Sequence, residues 1–399
     1  MLMQPLAITA WTLTSALGAG RAATLASLQA RRGGLRPCDL PHSPRDCWIG
    51  RVPGLETLGL PEAYAAFDCR NNRLAELTLS RDDFPAACAR AAARYGAAAI
   101  GVFLGTSTSG IAQTERAYRE RQTAASSLPP WYDYRHTHDL YSLTRYVRAR
   151  LGLAGPALSV STACSSSAKV FATAARHIEA GLCRAAVVGG VDSLCLMTLY
   201  GFRSLQLVSP KPCRPADPKR DGISLGEAGG FALLEPCGGN IGLALLGCGE
   251  SSDAYHMSAP HPGGGGAARA MRQALLDAAL APGEIDWVHL HGTATPANDL
   301  AEDRALESVF GPGMAASSTK GWTGHTLGAA GIVSFAMAAL ALEEGFLPGT
   351  LNTRRPDPTF SSEILLENRP VVPRRVMLNA LGFGGNNASL VLGHAGRID

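Results

Sequence analysis

Two strand-ending turns that echo each other constrain this chain more than any other feature. "LGTSTSG" closes a short apolar run at 104–110, and "LHGTATP" closes another at 290–296. "SVSTACSS" at 159–166 is answered by "SSTKGWTGH" at 317–325 in a similar strand-to-helix setting. The first pair is offset by 187 residues and the second by roughly 157, which predicts a duplicated α/β unit with an insertion in the first copy. Apolar runs at 98–105, 157–161, 185–190, 287–291 and 375–382 read as strands. Between them, 82–96, 164–181, 268–280 and 328–345 carry apolar residues at helical spacing. This alternation predicts buried sheets covered by helices. The turn "EPCGGN", 235–240, is the expected boundary, giving halves 1–238 and 239–399 with no low-complexity linker between them.

Bulk properties narrow the function. With 46% apolar residues in 399, the chain can bury a large core. A net charge of +3 without long Lys/Arg blocks does not suggest nucleic acid as a partner. The ten cysteines form no CxxC pair and none follows Cys248, so a disulfide framework or zinc ribbon is not expected. The apolar N-terminus lacks a basic leader and an uninterrupted hydrophobic segment, so no membrane span and a cytoplasmic setting are expected.

Chemistry gathers at the Gly-rich strand ends. Cys164 is expected to begin the helix running to about Gly181, where free N–H groups and the macrodipole favour a thiolate. His291 is expected to end a strand just before a Gly-Thr turn, with His289 deeper in the same strand as a structural residue. Thr293 and Thr295 present hydroxyls beside it, suited to an amide-bearing ligand or equally to capping the turn. Asp299 and Glu302 follow at a helix start. Lys320 and His325 occupy another strand-to-helix connection, and Phe383 lies in the loop "NALGFGGNNASL". Ligand spacing does not exclude a zinc site at Cys164, His291 and His325. A cationic Lys320 nearby opposes one, and no H-x-x-x-H supports it. "GTSTSG" lacks the spacing of a hydrolase elbow, and "HPGGGGAARAM" lacks the G-K-[ST] of a phosphate loop.

In this order, "TACSS", "HGTATPANDLAE", "KGWTGH" and "GFGG" resemble the elongating β-ketoacyl-acyl-carrier-protein synthases, condensing enzymes of the thiolase fold. The resemblance runs over nearly the whole length and implies a five-layer αβαβα arrangement. It implies decarboxylative Claisen condensation of an acyl group on Cys164 with a malonyl thioester. The N–H groups of Cys164 and Phe383 would form the oxyanion hole, His291 and His325 would stabilise the enolate, and Lys320 would supply positive field. Glu302 would hold the network around Lys320, with Asp299 in support, and Thr293 and Thr295 would bind pantetheine amides. No bound cofactor or metal is implied, since substrates ride on the phosphopantetheine of an acyl carrier protein. Initiating members carry asparagine where this chain has His325. The resemblance also implies a dimer, either a homodimer or a heterodimer with a ketosynthase-like subunit.

Two rivals share the fold. Chain-length-factor subunits lack the nucleophilic cysteine that this chain keeps, and thiolases use a second cysteine near the C-terminus that it lacks. Arg203, Lys211, Arg214, Lys219 and Arg220 form a candidate docking set for an acidic carrier protein. Departures from the family pattern are "GFGGNN", "GEAGG" and Ala216, where an aromatic is common. The segment 129–146, "PPWYDYRHTHDLYSLTRY", is rich in aromatic and histidine residues. It suggests a specialised pathway making polyenes or pigments, with a flat acyl chain on aromatic faces, or equally ordinary dimer packing.

Overall fold

The computed structural model describes residues 3–121, 123, 127–238 and 242–394. Each half lays five strands in one order. In the first, β1 (Leu6–Ser15), β2 (Ile100–Gly105), β3 (Ala157–Val160), β4 (Ala185–Asp192) and β5 (Ala228–Pro236) are arranged β3-β2-β4-β5-β1. In the second, β6 (Leu243–Ser252), β7 (Trp287–His289), β8 (Ala315–Ser317), β9 (Arg375–Gly382) and β10 (Asn386–His394) are arranged β8-β7-β9-β10-β6. The repeat seen in the sequence is therefore a repeat of topology. The two sheets join where β1 pairs antiparallel with β6, Leu6 opposite Leu245 and Ala7 opposite Ala244. The turn 235–240 connects β5 to β6, and its residues 239 and 240 lie outside the described residues.

Helices complete five layers. On the outer face of the first sheet lie α1 (Arg70–Leu79), α2 (Phe84–Tyr95) and α3 (Ser142–Arg150), whose Leu74, Phe84 and Tyr146 share one buried cluster with Val102 and Val187. Next in sequence, α4 (Ser166–Glu179) is buried between the sheets. Then α5 (Gly265–Asp277) and α6 (Pro296–Phe310) cover the outer face of the second sheet through Met271, Leu275 and Leu306. Finally α7 (Ala330–Glu344) lies beside α4 in the middle layer. With the turn before it, it forms an apolar stretch of 18 residues, Leu327–Glu344, that suits a core helix: 89% of that stretch is buried inside the protein.

The middle layer is packed to backbone contact. A Cβ on Gly331 of α7 would lie 2.4 Å from the backbone nitrogen of Ala168 in α4. Phe171 and Phe335 stack across the same seam at 5.0 Å, with Trp11 of β1 edge-on to Phe335 at 6.2 Å. Gly331→Ala should therefore overpack the seam and destabilise the protein by about 1–3 kcal/mol. Urea unfolding would show this as a lower midpoint, and an unchanged midpoint would mean that the helices separate freely.

Candidate active site

Both middle-layer helices start at the same place, and the residues just ahead of them meet. Cys164 precedes α4 and His325 precedes α7, and His325 Nε2 lies 3.0 Å from Cys164 Sγ. The His291 ring stands perpendicular to that of His325, with centroids 5.3 Å apart. All three line a cavity of about 330 Å³, within the range of small-molecule sites, together with Thr293, Thr295 and Phe383. Thr293 and Thr295 hydrogen-bond each other at 2.8 Å. The ring of Phe383 packs on Phe202 at 5.4 Å, forming an apolar wall; Phe202 itself lies in no motif.

Two expected boundaries shift. β7 ends at His289, so His291 sits two residues past the strand, in the turn itself. His289 is structural as expected: it is buried, with Nε2 3.0 Å from Thr319 Oγ1. α4 begins at Ser166 with Ser165 as N-cap, so Cys164 lies ahead of the helix. The N–H groups of Ser165 and Ser166 turn back to the carbonyls of Thr162 and Ala163. Ala163 adopts φ +52°, a strained conformation that costs roughly 1–3 kcal/mol and aims the next side chain into the cavity.

Burial, accordingly, overrides the expected helix effect on the thiol. It pushes the Cys164 pKa up to about 11, against Lys320 and the N–H groups of Phe383 and of Cys164 itself, which favour the thiolate. These two N–H groups are the expected oxyanion pair, and both bear on the sulfur.

Hydrogen bonds fix both histidine tautomers. Leu327 N–H donates to His325 Nδ1 at 3.3 Å, leaving the ring proton on Nε2, which faces Cys164. The Lys320 ammonium lies 3.4 Å from His291 Nδ1 and also donates to the His291 carbonyl, leaving the His291 proton on Nε2 as well. Burial first, then Lys320, hold both histidines well below their usual pKa, so they are neutral donors. Lys320 itself is lowered by burial, with Glu302 opposing.

Glu302 accepts from the N–H groups of His291 and Gly292, both at 2.8 Å, and from Asn379 Nδ2 at 3.1 Å. Burial pushes its carboxyl up to about 7 against those donors. It thus grips the His291 turn and reaches Lys320 through its field. Asp299 accepts from the N–H groups of Ala216 and Ala294, at 2.9 and 3.2 Å, and so holds the Thr293–Thr295 turn. Ala216, lacking the ring common in the family, leaves a cavity of about 10 Å³ beside Asp299 and Glu302, room for one water at most. Asn386, the departure in "GFGGNN", accepts from Lys169 Nζ at 3.5 Å. Glu227 of "GEAGG" is fully buried and paired with Arg70.

The ligating atoms of Cys164, His291 and His325 lie within 4.8 Å of one another, a spacing a metal could bridge. Their chemistry does not fit one. A ligand nitrogen must be free of its proton, whereas the His325 Nε2 that faces Cys164 carries its own, and Lys320 adds a positive charge beside His291.

Outside the cavity, the docking set divides. Arg203 is exposed and forks onto Asp46 at 2.7 and 2.9 Å, and Arg214 lies 3.4 Å from Asp221. Lys211 and Lys219 are exposed. Arg220 does not belong to this surface: it is buried, bonded to Asp357 at 2.6 Å and 3.8 Å from Asp299. The aromatic segment 129–146 contributes no side chain to the cavity lining. Tyr132 and His138 instead hydrogen-bond Thr114, at 2.6 and 2.7 Å, while Trp131 and Tyr134 face outward.

Comparison with known proteins gives the family. Residues 86–237 match the β-ketoacyl synthase N-terminal domain and 244–354 the C-terminal domain. The mitochondrial 3-oxoacyl-[acyl-carrier-protein] synthase of Arabidopsis thaliana is 38% identical over 62% of this chain and 58% of its own length. The 3-oxoacyl-[acyl-carrier-protein] synthase 2 of Staphylococcus aureus is 32% identical over 73% of this chain and 76% of its own. Among solved structures, the ketosynthase ApeO, in complex with its chain length factor ApeC from Xenorhabdus doucetiae, matches at 38% identity and TM-score 0.89, covering 98% of each chain. A thiolase-like fold with this site defines a condensing enzyme. The chain belongs to the β-ketoacyl synthase family.

Because burial holds the Cys164 thiol near 11, its thiolate fraction, and with it the alkylation rate, should rise roughly tenfold per unit between pH 7 and 9. Iodoacetamide labelling mapped by peptide mass spectrometry would measure this. Lys320→Ala, which removes a charge favouring the thiolate, should move the curve to higher pH. A plateau reached below pH 8 would contradict the burial argument.

Proposed function

We propose that this chain is a catalytic, chain-elongating ketosynthase that works on acyl groups carried by an acyl carrier protein. One observation carries the reading: a buried thiol lies 3.0 Å from the Nε2–H of His325, with the neutral ring of His291 beside it in the same cavity and two backbone N–H groups bearing on the sulfur. Cys164 attacks the carbonyl of the incoming thioester, the N–H groups of Cys164 and Phe383 hold the developing oxyanion, and the carrier leaves as its thiol. The Cys164 proton passes to that leaving sulfur. A malonyl thioester then enters, its pantetheine amides against Thr293 and Thr295. It loses CO2, and the enolate oxygen is held by His291 and His325. The enolate carbon attacks the acyl-Cys164 carbonyl, expelling the thiolate and forming a β-ketoacyl thioester on the carrier. Lys320 keeps His291 in the donating tautomer, while Glu302 and Asp299 hold the turns.

The partner follows from the sheet edge. β3 ends the sheet, pairs only with β2 among the described residues, and exposes Leu158 at 44%. We infer that a ketosynthase-like subunit covers this edge together with Trp131 and Tyr134, which assigns the aromatic segment to assembly. ApeO is in complex with a chain length factor, and a second match is the ishigamide ketosynthase/chain length factor, 27% identical with TM-score 0.89. These favour a heterodimer and a specialised polyene or polyketide pathway over housekeeping fatty-acid synthesis. Free thiols throughout suit a cytoplasmic setting.

Mixing the protein with acyl carrier thioesters should give an acyl mass gain, read by intact-protein mass spectrometry, that disappears in Cys164→Ala. His291→Ala and His325→Ala should still load the acyl group but lose condensation by roughly 10²–10³-fold, about 3 kcal/mol for each donor. A gain that persists in Cys164→Ala overturns the assignment. Arg203→Ala should raise the carrier-protein KM with little change in kcat, and an unchanged KM removes Arg203 from the docking surface.

A further inference from the structure

Glu302 has a counterpart in the first half that no motif announces. Asp192, at the end of β4, is fully buried and accepts five hydrogen bonds: from Thr106 Oγ1 at 2.6 Å, Ser107 N at 2.9 Å, Thr108 N at 2.9 Å, Thr108 Oγ1 at 2.8 Å and Gly328 N at 2.6 Å. All five donors are neutral. A buried carboxylate is costly unless its hydrogen bonds are filled, so this one is a strong anchor for whatever it holds.

What it holds are the two turns that meet at the cavity. Ser107, bonded to Asp192 through its N–H, donates its hydroxyl to the carbonyl of Ala163 at 3.2 Å, and Ala163 is the left-handed residue directly before Cys164. Thr106, bonded through its hydroxyl, accepts from the N–H of Ser109, itself at φ +44°. On the other side, Gly328 follows Leu327, at φ +53°, whose N–H fixes the His325 tautomer. The approach is too close for a side chain at 328: a Cβ would lie 2.6 Å from Ser107 Oγ and 2.7 Å from Asp192 Oδ2. Three non-glycine residues in left-handed conformations thus hang on one carboxylate.

We propose that Asp192 is a positioning residue, clamping the turn before Cys164 to the turn after His325 and so setting the 3.0 Å approach of Sγ to Nε2. The proposal rests on the roles given above to Cys164 and His325. Asp192→Asn would turn an amide donor toward a nest of donors and release the clamp.

In the full-length protein, Asp192→Asn should slow acyl loading of Cys164 by about tenfold or more, the scale on which misplaced reacting groups lose rate. Lys320 favours the Cys164 thiolate and Asp192 disfavours it, with the neutral rings of His291 and His325 beside the sulfur; burial raises the Asp192 carboxyl itself, against its hydrogen-bond donors. Removing its charge should move the pH profile of Cys164 alkylation to lower pH. Ser107→Ala cuts only the branch to Ala163, and should slow loading severalfold more than it slows malonyl-thioester decarboxylation, in which the Cys164 thiol is not the nucleophile. Loading within twofold of the parent in Asp192→Asn, with an unmoved alkylation profile, overturns the proposal. If that variant does not fold by circular dichroism, Ser107→Ala decides, and an unchanged ratio of loading to decarboxylation overturns it. Should the parent protein alkylate at Cys164 yet load no acyl group, the functional reading fails, and the alkylation profile still decides on Asp192.

Discussion

The backbone contact between α4 and α7 is the constraint on which the site depends. Gly331 lets the two helices touch main chain to main chain, and each helix is preceded by a strained turn that carries one reactive side chain. Because both helices start from equivalent places in the two halves, after β3 and after β8, closing the gap between them brings the turn of Cys164 to that of His325. Duplication thus does geometric work: one topology, used twice about a common seam, delivers two different side chains to one point.

The electrostatics of that point are those of a dry cavity that donates hydrogen bonds. Burial lowers Lys320 and both histidines and raises the thiol, so the resting site favours neutral groups wherever it can. What remains charged is placed behind the reacting atoms. Lys320 sits on the far nitrogen of His291, and Glu302 grips that residue's backbone. Such an arrangement suits a reaction in which negative charge appears briefly on substrate oxygens, since the donors are already aimed and need not reorganise.

Most of the site was legible in the sequence, because glycine-rich strand ends mark where side chains emerge into a cleft. Cys164, His291, Lys320 and His325 could be named from such turns alone. The strands β1, β5 and β10 were harder to read: β5 is buried along all but its last residue, and the others are buried along most of their length, so they lack the alternation that marks a half-exposed strand. The direction of the thiol's pKa is hidden from the sequence for a related reason. A helix N-terminus is visible in sequence, but complete burial is not, and burial is the larger effect here. Arg220 in "RPADPKRDG" looks like part of a basic surface loop, and only the fold shows Asp299 and Asp357 closing over it. Phe202 and Asp192 carry no motif at all, since each matters through what another segment brings to it.

The halves differ where it counts. Under the second-half turn, Glu302 reaches out from a helix to collect the N–H groups of His291 and Gly292. Under the first, Asp192 reaches from a strand to collect those of Ser107 and Thr108. The second carboxylate works next to a lysine and the first without one, so the field across the cavity runs from Lys320 toward Asp192, with the Cys164 sulfur between them in electrostatic terms. A thiol so placed is held in check at rest. Acylation keeps the sulfur neutral until condensation expels it, while the donors on the second-half side stay free for the next negative charge to form.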